Sequence, residues 1–167
     1  MQLLIEQLKF VKGLDPVADA FDNGTTPASD VVSMRGYGNV LFLIHIGVGV
    51  TGTQTLTVEA CDNVTPSNTT TIVFWYREIL SGDTEGALTK AATSGFTVTA
   101  GSSKIILVEA RAQDVVEASV NSIVGNEFVR LKQSAEPSDS PVLGGISIIM
   151  GGKPSRYTSD SKPTVIV

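Results

Sequence analysis

The chain has one cysteine and one histidine in 167 residues. A single thiol excludes an internal disulfide, and a chain of this length can bury a core without one. Charge is also scarce: 17% of residues are Asp, Glu, Lys or Arg, and their balance is −5. An acidic chain with no basic stripe repels phosphate, which excludes nucleic-acid binding as its main role. The longest uncharged apolar stretch, residues 40–50, falls short of the roughly 20 residues a membrane-spanning helix needs. The opening MQLLIEQLKF has no basic start, and Glu6 interrupts its apolar run. It does not read as a secretory signal, and the expected site of assembly is the cytosol. No internal repeat and no heptad pattern is present.

In their place is a series of apolar segments with a period of two. Residues 39–46 read NVLFLIHI, residues 53–61 read TQTLTVEAC and residues 96–100 read FTVTA. Such alternation sends successive side chains to opposite faces of a strand. Positive mean hydropathy argues against disorder, and the richness in Thr, Val, Gly and Ser suits sheets joined by tight turns. Further strands are expected at residues 31–34, 71–78, 104–111, 127–133 and 141–150. Residues 40–46 are apolar on both faces, which places that strand centrally in a sheet. In residues 53–61, Leu56, Val58 and Ala60 face one way and Thr55, Thr57 and Glu59 the other, as in a half-exposed strand.

Loops lie between them. Residues 13–30 carry Asp-Pro, Asn-Gly and Thr-Pro, all turn signals. Residues 82–95 read as a small-residue loop with a helical turn near 87–92, residues 101–103 as a hairpin turn, and residues 113–119 as the start of a short helix. The Gly144-Gly145 pair suggests a bulge or close packing. The count is about eight strands with loops of uneven length. That predicts an all-β chain: a jelly-roll-like β-sandwich with an N-terminal arm or first strand at 1–12, the sandwich at 13–151 and a C-terminal tail at 152–167.

Candidate chemistry is thin. His45 sits within the most apolar strand, and catalysis by a lone histidine needs an orienting acid and a nucleophile that no sequence pattern supplies. Cys61 ends a strand beside Asp62 and reads as a buried small residue. Asp15, Asp19, Asp22 and Asp30 share the first loop, but their spacing lacks the glycine and terminal glutamate of a calcium-binding EF-hand loop. Residues 47–52, GVGVTG, precede a Thr-rich strand rather than a helix, which removes the dinucleotide-binding reading. The Asn-x-Thr triplets at residues 23, 63 and 68 read as turns. No catalytic, cofactor or metal residue is expected. Trp75 and Tyr76 must point to opposite faces, so one of them is a candidate contact for a partner or neighbouring subunit.

Residues 28–66, ASDVVSMRGYGNVLFLIHIGVGVTGTQTLTVEACDNVTP, resemble a group of small tailed-bacteriophage virion proteins. The shared order is S-D-x-V-x-M, a tyrosine, an apolar strand, a glycine turn and T-x-T-V-E-A-C-D. Later pieces agree: GALT at 86–89, SGFT at 94–97 and FVRLK at 128–132. The resemblance runs from about residue 28 to 150. It implies a non-enzymatic capsid decoration (cement) protein, a homotrimer seated on the major capsid protein at the virion surface. Alternatives are another virion part (tail tube, connector or fibre component) or a carbohydrate-binding jelly-roll module, for which a host-surface glycan is the candidate ligand. Terminal arms suit strand addition to a neighbour. The candidate interface residues are therefore Leu3, Leu4, Leu8 and Phe10 at one end, Tyr157, Val165, Ile166 and Val167 at the other, and Trp75 and Tyr76 between them.

Overall fold

The computed structural model of the chain describes residues 3–16, 26–50, 52–80, 82–133 and 143–152. Among the described residues twelve strands form two antiparallel sheets. In chain order they are β1 (Lys9–Leu14), β2 (Val32–Ser33), β3 (Asn39–Ile46), β4 (Thr53–Cys61), β5 (Thr69–Ile72), β6 (Phe74–Leu80), β7 (Thr84–Glu85), β8 (Thr89–Ala91), β9 (Phe96–Thr99), β10 (Lys104–Arg111), β11 (Phe128–Gln133) and β12 (Leu143–Gly151). Two short helices, α1 (Leu4–Gln7) and α2 (Ala112–Glu117), precede β1 and follow β10.

The seven-stranded sheet runs β1-β12-β3-β10-β6-β7, with β8 also on β6; the five-stranded sheet runs β2-β11-β4-β5, with β9 also on β4. Eight of these strands make one rolled hairpin. β1 pairs with β12, β2 with β11, β3 with β10 and β4 with β5, so the first half of the chain is zipped to the second while alternating between sheets. That is jelly-roll topology. The other four strands, β6 to β9, are inserted between β5 and β10 and widen both sheets. The sandwich expected from the sequence is therefore present, with twelve strands rather than about eight.

The core is the space between the sheets. Residues directly opposite in an antiparallel pair share a face. On the seven-stranded sheet, Ile148, Phe42, Val108 and Tyr76 form one inward row and Ile146, Ile44 and Ile106 the next. Leu56, Val58, Ala60, Val129 and Leu131 answer them from the other sheet, all fully buried. The inserted strands extend this core. Phe74 is buried, and the Tyr76 and Phe96 rings stack at 3.9 Å between centroids across the two sheets.

Four local expectations change. Residues 71–78 are not one strand: Ile72 pairs with Val58 in one sheet and Phe74 with Ala91 in the other, so the chain changes sheet at Val73. Residues 87–92 hold β8 instead of a helical turn, because a Gly86 N–H donated to the Glu78 carbonyl (2.8 Å) keeps that segment alongside β6. Residues 101–103 do not close a hairpin, since β9 and β10 lie in different sheets and the Gly101 carbonyl accepts from the Gly49 N–H instead. The segment expected as an N-terminal arm or first strand holds a helical turn at Leu4–Gln7 followed by the first strand β1, whose end lies at Leu14 rather than residue 12.

Two glycines are fixed by geometry. The register of β12 against β3 shifts between Leu143 and Gly145, a bulge at which Gly145 takes φ +131°. Gly95, at φ +92°, turns the chain from β8 into β9. A Cβ there would lie 2.4 Å from the Leu56 carbonyl oxygen. Gly95→Ala combines that clash with a left-handed backbone and is expected to cost more than about 1 kcal/mol. Denaturant titration measures it; a loss within error of zero refutes the assignment.

Candidate functional site

The face of the seven-stranded sheet that points away from the core is unusually apolar. Register defines its rows. The first crosses the sheet as Phe10, Ile149, Leu41, Glu109 and Trp75. The second runs Lys12, Ser147, Leu43, Leu107 and Arg77, and the third Gly145, His45, Ile105 and Ile79. Leu8 extends the patch, with its Cδ2 positioned over Gly151. Phe10 is 49% exposed, and Leu41, Leu43, Ile79, Ile105, Leu107 and Ile149 are each partly exposed. Gly145, at the end of the third row, is buried against Leu14 and Pro16. Helix α1, with its residues exposed, leads into the edge strand β1, and α2 buries Val115 in the core.

The charged side chains on this face each have a partner, although Arg77 Nε is buried without one of its own, and Ser147 and His45 are exposed. Arg77 pairs with Glu85, Lys12 with Asp15 at 3.1 Å, and Asn39 donates from Nδ2 to Glu109 Oε1 at 2.6 Å. Lys90 Nζ lies 6.0 Å from the centroid of the Trp75 ring, a cation–π distance.

The outward face of the five-stranded sheet is its opposite in character. Thr53, Thr55 and Thr57 on β4 stand beside Thr97 and Thr99 on β9 and near Thr69 and Thr71 on β5. At its centre Glu59, only 6% exposed, takes Arg130 Nε and Nη2 on Oε2, both at 2.8 Å, with Lys132 Nζ 3.7 Å from Oε1. Removing one member of a desolvated pair strands the other's charge, so Glu59→Ala is expected to destabilise by about 2–4 kcal/mol. Glu59→Ala with Arg130→Met should recover much of that loss. Thermal and denaturant melts of both variants check it; equal stability of Glu59→Ala and the parent chain contradicts it.

The residues weighed for catalysis lie apart. His45 is exposed at the end of β3 and borders an open cleft of about 380 Å³ with Ile79, Asp83, Ser103 and Lys104. Lys104 is committed to Glu78, with Nζ 2.6 Å from Oε1. Cys61 is buried on the other sheet, and desolvation pushes its thiol up to about 12. A thiol held protonated is a poor nucleophile. Native protein is therefore expected to resist iodoacetamide at mildly alkaline pH and to label fully once unfolded. Mass spectrometry distinguishes the two, and rapid labelling of folded protein overturns the assignment.

Of the acidic first loop, Asp15 holds Lys12 and Asp30 is half-buried, its carboxyl pushed up by that burial; Asp19 and Asp22 lie outside the described residues. Among the described residues no three His, Cys, Asp or Glu side chains gather as a metal site, and no helix is long and apolar enough to cross a membrane. The Asn63 triplet forms a turn, with Thr65 N–H donating to Asn63 Oδ1 at 2.7 Å.

Leu8 and Phe10 at one edge and Trp75, four strands away on β6, share the apolar outer face, whereas Tyr76 points inward onto Phe96. Leu3 and Leu4 are exposed in and before α1. Tyr157, Val165, Ile166 and Val167 lie outside the described residues. Sequence reasoning did not single out Leu41, Leu43, Ile105, Leu107 or Ile149. The available signal was that three separate strands are apolar on both faces. No protein-family model, curated protein or solved structure matches the chain.

Proposed function

We propose that the chain is a non-enzymatic structural subunit of a virion: a decoration (cement) protein seated on the major capsid protein of a bacteriophage head. The observation that carries this reading is the apolar outer face of the seven-stranded sheet. Small-molecule sites are concave and gather a few convergent polar groups. Here the dominant surface feature is a broad sheet face of Phe, Trp, Leu and Ile with its few charges already paired. That is the composition of a protein–protein contact, with aliphatic side chains at its centre, an aromatic towards each side and little free charge.

The resemblance over residues 28–150 points to the kind of assembly, a tailed-phage head, and implies a trimer on the capsid lattice. The polar, threonine-rich face of the other sheet suits the solvent side of such a subunit. Exposed aromatics lining a groove, which a sugar-binding module requires, do not occur in the cleft beside His45.

The test is binding to heads that lack the protein. Purified chain is expected to co-sediment saturably with them and to appear by electron microscopy as density at regular lattice positions. Replacing Cys61, buried on the other sheet, with Ser should leave that binding unchanged apart from a modest loss of stability. Absence from purified virions, or failure to bind expanded heads, refutes the decoration role. Polymerisation of the isolated chain into tubes would move the assignment to a tail component.

A further inference from the structure

We propose that the sandwich holds ordered water between its sheets at one end, bound by the side-chain amides of Gln54 and Gln133. This interior site is separate from both outer faces and does not depend on what they bind.

The two glutamines stand where the pattern calls for apolar residues. In β4, Gln54 takes the inward frame of Leu56 and Val58; in β11, Gln133 takes that of Val129 and Leu131. Both are 0% exposed. Gln133 lies opposite Leu56, and Gln54 lies opposite Val98 on β9. Gln54 and Gln133 are thus diagonal neighbours on the inner face of the five-stranded sheet, about 7 Å apart at the backbone. That spacing lets two long side chains share a bridging molecule. Neither Nε2 nor Oε1 of either residue has a hydrogen-bond partner within the chain.

Burying such groups unpaired is costly. Each carboxamide offers two N–H donors and an oxygen with two lone pairs. An occupant that satisfies both must donate and accept, and full burial restricts it to the size of water. Buried water settles where several polar groups converge. Gln54 and Gln133 supply that convergence. The other orphaned buried atoms among the described residues, the Tyr37 hydroxyl and Arg77 Nε, are single groups on other elements and make no comparable site.

The same end of the sandwich supplies an entrance. Lys104 shares a row with Ile46, and Glu78 shares one with Ile106 and Ile44, so both belong to the inward face of the seven-stranded sheet where β4 begins. Lys104 Nζ lies 2.6 Å from Glu78 Oε1, and the two side chains are 13% and 28% exposed. An open cleft of about 420 Å³, lined by Leu80, Thr99, Gly101, Ser103 and Lys104, lies beside this pair. The space between the sheets therefore grades from cleft to ion pair to neutral amides. Water has a polar route inward, and the amides hold it where that route ends.

The first test needs only the parent chain, labelled with ¹⁵N. The side-chain NH₂ groups of Gln54 and Gln133 are expected to show cross-peaks to water in paired NOE and ROE spectra, with the opposite signs that separate bound water from hydrogen exchange. No such cross-peak, or one to only a single amide, overturns the shared site. The second test is a mutant cycle read by thermal melts. Gln54→Leu and Gln133→Leu are each expected to lower Tm by about 2 to 10 °C, since each leaves the water and the other amide short of partners. The double variant removes both amides and should recover most of that loss. Single variants that each raise Tm additively mean dry, independent amides and overturn the proposal. A coupled cycle without a water cross-peak means that the amides pair directly, which also overturns it. Should a single variant fail to fold, the spectra of the parent chain decide alone.

Discussion

Strand β3 is hydrogen-bonded along one edge to β10 and along the other to β12. Both partners come from the second half of the chain, and the rest of the architecture follows from that pairing. Once β3 lies between them, β1 must zip onto β12, and β2 and β4 must lie against β11 in the second sheet. The apolar inner rows then meet across the sandwich. The inserted strands β6 to β9 are accommodated because they lengthen both sheets on one side, and the Tyr76–Phe96 stack bridges the sheets within that extension.

The two outer faces solve the problem of sheet solubility differently. On the five-stranded sheet, β-branched hydroxyl side chains keep strand propensity while remaining compatible with water, and the one deeply placed carboxylate is matched to a guanidinium. On the seven-stranded sheet the strands are apolar on both sides, as expected for strands covered on both faces. Charge is present there only at the margins and beside paired groups. Among the described residues the inner core is complete without that second apolar surface.

How much of this was legible in the sequence varies with the physics involved. Period two marks a strand wherever one face is buried, so residues 39–46, 53–61 and 104–111 were readable at their full lengths. Alternation says nothing about which strand lies alongside, so the change of sheet at Val73 and the short strands β7 and β8 were hidden: both depend on pairing with β6 rather than on local pattern. The hairpin expected at residues 101–103 failed for the same reason. A glycine turn looks alike whether it joins neighbours or crosses between layers. The apolar outer face was legible only in part. Trp75 and Phe10 stood out as aromatics, whereas Leu41, Leu43, Ile105, Leu107 and Ile149 are ordinary strand residues until register places them in adjoining rows.

The pairing of β3 has a consequence during synthesis. When residues 39–46 emerge from the ribosome, both strands that will flank them are still untranslated: β10 begins at Lys104 and β12 at Leu143. For that interval the nascent chain carries NVLFLIHI with two free backbone edges and apolar side chains on both faces. Such a segment has the hallmarks of a cross-β nucleus, and long-range strand pairing closes slowly. Folding of this sandwich is thus a race between completion of the last strand and capture of an unpaired segment by its counterpart on another chain.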